Sequence, residues 1–142
     1  MFIFLLNAIK IIFVLGFLVL IHEGGHFLVA KFFKVKVNEF SIGFGKQLFS
    51  KKKGETVYSI RMIPLGGFVS MLGEEERSDD ERSFSKQSIS KRIAIVAAGG
   101  LVNIAFGILI YFLVIFSIGN FASKNIDIVN DGYDAKQAGI LA

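Results

Sequence analysis

The sequence predicts a membrane α-helical protein in which two transmembrane helices flank a small cytoplasmic, membrane-associated β-hairpin or sheet. Three observations predict it. Hydrophobic residues make up 53% of the 142, with sixteen Phe and a mean hydropathy of +0.59, too apolar for a soluble domain of this length. The apolar residues gather in two stretches, roughly 2–33 and 93–122, each long enough to cross about 30 Å of hydrocarbon. Twelve of the sixteen Lys and Arg fall between those stretches, within residues 34–92.

The first segment, 1–35, is longer than one perpendicular crossing needs. It must tilt, or its first turns lie in the interface before Lys10, leaving a core span near 11–33. It has no basic leader and no small-residue cleavage site, so it reads as a retained helix rather than a signal peptide. The positive-inside rule places the basic loop in the cytoplasm of a multi-pass cell-membrane protein, with the N- and C-termini outside. That placement accounts for the net charge of +4 without nucleic acid as a partner. The absence of Cys excludes disulfides and thiolate metal sites, so any metal must be held by His and carboxylates.

Within the loop, 36–92, residues 37–44 and 56–72 are rich in Val, Ile, Phe and Tyr with partial alternation, which predicts strands. Lys51-Lys52-Lys53-Gly54 reads as the solvated turn between them, with contact to anionic membrane lipid as the alternative. Gly66-Gly67 predicts a bulge or a close backbone approach. The charged run from Glu74 to Arg92 is a connecting segment whose acidic part reads as a solvated surface, with metal or partner binding as the alternative. The second helix occupies 93–122, and 123–142 turn polar, too few residues to bury a core of their own.

The chemistry lies in His22-Glu23-Gly24-Gly25-His26, an H-E-x-x-H pattern inside an apolar helix. Residues four apart differ by only about 40° around a helix, so both imidazoles leave one face and can ligate one zinc ion. Glu23 stands at an adjacent angle, suited to take a proton from the attacking water and return it to the leaving amine. The alternative is a polar seam in which the three groups only hydrogen-bond between helices. Hydrocarbon favours the metal, because ionisable groups at a helix centre cost about 2.5–3.5 kcal/mol on insertion scales and need compensation. Gly24 and Gly25, poor helix formers, are expected to leave room beside the metal.

The run Leu20-Ile21-His22-Glu23-Gly24-Gly25-His26-Phe27, followed by Val37-Asn38-Glu39-Phe40-Ser41-Ile42-Gly43-Phe44-Gly45, resembles the site-2 protease family, in particular its bacterial regulator-of-sigma-E protease branch. Tyr58 to Glu74 and Ala97-Ala98-Gly99-Gly100-Leu101-Val102-Asn103 extend the match in the same order and spacing. The resemblance implies an intramembrane zinc endopeptidase that cleaves transmembrane segments of membrane-tethered regulators such as anti-sigma factors. It further implies that residues 64–74, with Gly66, Gly67, Phe68 and Val69, present the substrate as an added strand. An ordinary hairpin shielding the helix end is the alternative. Gly99 and Asn103 match a Gly-x-x-x-Asn pattern, with Asn103 bonding the substrate backbone or a partner helix, and simple packing as the other reading.

The family's third zinc ligand is an Asp of a later helix in a Leu-Asp-Gly context, which this sequence does not contain. Asn130-Asp131-Gly132 imitates it, but Asp127, Asp131 and Asp134 are expected on the outer side, roughly 15–20 Å from the metal. Residues 126–142 resemble the opening of an external PDZ domain. The expectation is therefore an N-terminal portion that needs a missing C-terminal half to complete its metal site. A non-catalytic two-helix fragment or partner-binding protein is the competing reading.

Overall fold

The computed structural model describes residues 1–118 of the chain. The end of the expected second span, the external segment 123–142 and the three Asp residues named above lie outside the described residues. Helix α1 (Phe2–Phe32) is followed by strands β1 (Val37–Lys53) and β2 (Thr56–Met71), a short 3-10 turn (Phe84–Lys86) and helix α2 (Ile89–Ile118). One compact unit runs from Met1 to Phe106, and α2 continues from Gly107 to Ile118. Both helices are long and apolar enough to cross a membrane. At about 1.5 Å per residue, the 31 residues of α1 exceed one perpendicular crossing, as expected.

Apolar side chains surround α1 on all sides, so no polar stripe marks which face packs inward. Its end is set by local chemistry. Val35 N–H bonds the Ala30 carbonyl at 2.9 Å and Lys34 N–H bonds the Lys31 carbonyl at 3.0 Å. This is the Schellman closure, with Lys34 at φ 60 in the left-handed position usually taken by Gly. The closure delivers Val35 and Val37, both fully buried, onto Ala30, Met71 and Ile95, and these five form the core.

β1 and β2 form an antiparallel two-stranded sheet whose strands bend back on themselves. Lys53 pairs with Thr56, and the hairpin runs back to Phe49 opposite Ile60. Past Gly43 and Gly45, at φ 87 and 81, β1 changes course. Its first half, Glu39–Ile42, then pairs with 67–70 on one side and with 57–60 on the other, where residue numbers rise together. The order across the sheet is thus 49–53, 57–60, 39–42, 67–70.

Two expectations are corrected. The first strand continues through Lys53 instead of ending near 44, and the turn is Gly54-Glu55 alone. The second helix begins at Ile89, four residues before the apolar stretch, because polar residues extend a helix as readily as apolar ones do. The sheet also packs along α1. A Cβ on Gly16 would lie 2.9 Å from the Pro64 carbonyl oxygen, and one on Gly66 would lie 2.7 Å from Val19 Cγ1, so β2 runs alongside the middle of the helix.

Candidate metal centre

One helical turn separates His22 from His26, and their rings stand 4.8 Å apart at 80°. Together with the Glu23 carboxylate they offer three ligand atoms, all within 4.8 Å of one another and all partly buried. Helix α2 crosses directly over this turn. A Cβ on Gly25 would come within 2.7 Å of the Ala98 carbonyl oxygen and 3.1 Å of Gly99 Cα, so only Gly admits the second backbone here. Gly24 has nothing within 4 Å of its hypothetical Cβ. The expectation that both glycines leave room beside the metal gives way to a helix crossing that needs Gly25 alone.

Each imidazole has a partner on α2. His26 Nδ1 lies 2.7 Å from the Ile95 carbonyl oxygen. His22 Nδ1 lies 3.4 Å from Asn103 Nδ2. Opposite these contacts, a Cβ on Gly99 would sit 2.5 Å from His26 Nε2 and 2.6 Å from His22 Nε2. The two Nε2 atoms therefore converge on a space that exists because residue 99 has no side chain. That space and donor set fit zinc: two neutral imidazole nitrogens turned to one point, with the far nitrogen of His26 donating to a carbonyl, the usual outer support of a metal-bound His.

Glu23 turns away from α2 toward the sheet. Val69 N–H donates to Glu23 Oε2 at 3.2 Å, and Met71 N–H donates to Glu74 Oε2 at 3.2 Å. Val69 pairs with Phe40 on its inner side, so this amide belongs to the outer edge of the sheet. A free edge offers unpaired donors and acceptors to any extended chain, and here carboxylates cover two of them. The Glu23 carboxylate and a strand edge are thus in direct contact.

The residues expected to bind substrate divide. Val69 reaches the site through its amide. Gly66, at φ 115, packs on Val19, and Gly67 lies so close to the Ser41 carbonyl that a Cβ would collide with it. These glycines let the strand approach α1 and β1, a close approach expected from the pair. Phe68 stacks against Phe44 at 6.3 Å and lies under the Arg61 guanidinium at 5.0 Å, which makes it part of the sheet's own packing. Asn103 faces His22 across the helix crossing.

Sequence reasoning missed Gly16, the Ile95 carbonyl and a polar knot inside the sheet. In that knot, Glu39 accepts from Ser59 Oγ at 2.5 Å and Arg61 Nη2 at 2.8 Å, while Arg61 Nη1 donates to the Gly45 carbonyl. Burial pushes the Glu39 carboxyl up, but the Ser59 and Arg61 hydrogen bonds and the Arg61 charge outweigh it and hold the group below its ordinary value. At the hairpin turn, hydrogen bonds from Lys31 and Arg82 hold Glu55 below its ordinary value as well.

Two helical imidazoles with a carboxylate next to the first, beside a strand edge, match the H-E-x-x-H pattern of zinc metallopeptidases. Residues 10–139 match the family model described as peptidase family M50, and the chain belongs to that family. It is 42% identical over 136 residues to a Clostridium acetobutylicum protein named as a zinc metalloprotease, covering 96% of this chain and 40% of that one. A Vibrio cholerae protein of the same description is 50% identical over 120 residues, 80% of this chain and 26% of its own length. The regulator of sigma-E protease RseP of Escherichia coli is 44% identical over 123 residues, 82% of this chain and 27% of that protein. The chain thus spans two fifths or less of the length of these relatives.

Proposed function

We propose that this chain carries the two-histidine part of an intramembrane zinc endopeptidase that cleaves transmembrane segments of membrane-tethered regulators, of which anti-sigma factors are the type. His22 and His26 would hold the ion through Nε2, and a third protein ligand would come from outside residues 1–118. Zinc, when bound, supplies the Lewis acid that polarises the scissile carbonyl and acidifies water.

The observation that carries the reading is the Val69–Glu23 hydrogen bond, which sets the base against a strand edge. A peptide bond within a substrate helix is shielded by its own hydrogen bonds. An unwound segment can regain them by pairing with the edge at Gly67 and Val69 as Glu23 releases the Val69 amide, which leaves its backbone beside Glu23. Glu23 then takes the proton from the attacking water and passes it to the leaving amine. The exposed apolar surfaces of α1 and α2 call for a hydrocarbon surround, consistent with a multi-pass cell-membrane location. The crowding of Lys and Arg in 34–92 supports a cytoplasmic loop and external termini.

Glu23→Gln in the intact protein tests this. The substitution preserves shape and both imidazoles but removes the base. Cleavage of a membrane-tethered model substrate should fall by orders of magnitude while zinc content stays near one per chain. Undiminished cleavage would overturn the mechanism.

A further inference from the structure

The two imidazoles are supported in different ways. Ile95, Gly99 and Asn103 stand four apart and therefore on one stripe of α2, which meets both rings. At His26 the partner is a main-chain carbonyl, 2.7 Å from Nδ1. A carbonyl only accepts, so the ring proton sits on Nδ1 and Nε2 keeps its lone pair for a ligand bond. No substitution at position 95 removes that oxygen.

At His22 the partner is the side-chain amide of Asn103, 3.4 Å from Nδ1. An amide can present either end, and oxygen and nitrogen are told apart by their bonding rather than by shape. With the NH2 group toward the ring, Nδ1 is the acceptor, the ring proton moves to Nε2, and ligation is blocked. That orientation also leaves Asn103 Oδ1 buried without a donor. Turned over, the amide accepts from Nδ1–H and frees Nε2. Either orientation leaves one end of the amide without a protein partner, so the ring tautomer decides between them.

We infer that Asn103 is a positioning residue of the metal centre, its Oδ1 accepting from His22 Nδ1–H so that the Nε2 atoms of His22 and His26 address one ion beside Gly99. This rests on reading the cluster as a zinc site, and it assigns Asn103 to the metal rather than to the substrate. The side chain does for His22 what the Ile95 carbonyl does for His26.

The test is zinc affinity of the intact protein, measured by competition with a chromophoric chelator. Asn103→Leu, similar in size but without an acceptor, should weaken zinc binding about 10–100-fold, the usual effect of losing an outer partner. Asn103→Asp, which can only accept, should hold zinc at least as well as the unmodified protein. Wild-type affinity in Asn103→Leu would overturn the inference, and so would a tenfold or greater loss in Asn103→Asp, which keeps the question decidable if the Leu variant does not fold. His22→Ala and His26→Ala separate the two levels of the argument. If both bind zinc as the unmodified protein does, the metal-centre reading itself fails; if they lose it while Asn103→Leu does not, only the role of Asn103 is wrong.

Discussion

Helix α1 presents two faces that differ in what they hold. Counting about 100° per residue, Gly16 and Glu23 fall within about 20° of each other, whereas Gly25 lies about 180° from Gly16, with His22 and His26 between Gly25 and Glu23. The first face carries β2 and Glu23, the proposed base; the second carries α2 and the two histidines proposed as metal ligands. On the second face, Gly25 and Gly99 place backbone against backbone and backbone against imidazole, where neither side can yield. On the first, Gly16 likewise admits backbone, with the Pro64 carbonyl oxygen 2.9 Å from where a Cβ would lie, while a single carboxylate reaches one strand amide at 3.2 Å. On the proposed function, metal binding and peptide positioning are thus built on separate surfaces that meet only at Glu23.

The sharpest way to break this separation is to fill the second face. Gly99→Ala would put a methyl group on both Nε2 atoms, and zinc affinity should drop by more than 100-fold, well beyond the loss of an outer partner. Gly25→Ala drives Cβ into the Ala98 carbonyl and should cost about 1–3 kcal/mol of stability as well as zinc, measured by denaturation in detergent and by chelator competition.

Filling the first face should give the opposite pattern. Gly16→Ala presses on the Pro64 carbonyl at 2.9 Å, and a strand displaced by an ångström can cost up to about a hundredfold in rate. Zinc affinity should stay within a few-fold of the unmodified protein. If Gly16→Ala loses zinc as Gly25→Ala does, the two faces are not independent.

The polar knot of the sheet sets a smaller, pH-dependent effect. Glu39 is held below its ordinary value of 4.5, so its contribution to stability is complete above that pH and is lost as pH falls through the lower folded-state value. The stability gap between the unmodified protein and Glu39→Gln should therefore be constant from pH 7 to about 5.5 and close below about 4.5. A gap that widens on acidification would show that Arg61 does not stabilise the ionised form. The smallest effect belongs to Gly24, whose Cβ would meet nothing within 4 Å among the described residues: Gly24→Ala should be neutral or stabilise the helix by up to about 1 kcal/mol, with zinc affinity unchanged.

The His22–Glu23–His26 cluster was legible in the sequence because helical spacing alone puts His22 and His26 on one face, and an ionisable cluster inside an apolar run stands out. Gly99 and Asn103 were legible as a spaced pair, but not what they face, since spacing gives a stripe and not its partner. The Ile95 carbonyl was invisible in principle: a main-chain oxygen has no letter. Gly16 was hidden because α1 is apolar all round, so nothing distinguishes the side that meets the strand from the side that meets solvent. Gly43 and Gly45 read as the end of a strand when they mark its bend. Glu39 and Arg61, 22 residues apart, meet only because β1 pairs on both sides, and no local pattern encodes that.

That double pairing also has a consequence for motion. Segments 39–42 and 57–60 have strand neighbours on both flanks, so releasing either means breaking two ladders together. Segment 67–70 has one ladder, with Val69 held on its outer side by a single carboxylate. Local opening follows the number of bonds that must break at once, so amide exchange with solvent should be slowest in the two inner segments and faster along 67–70. The part of the sheet that yields most readily is then the part that touches Glu23, while the rungs behind it stay shut and keep their register.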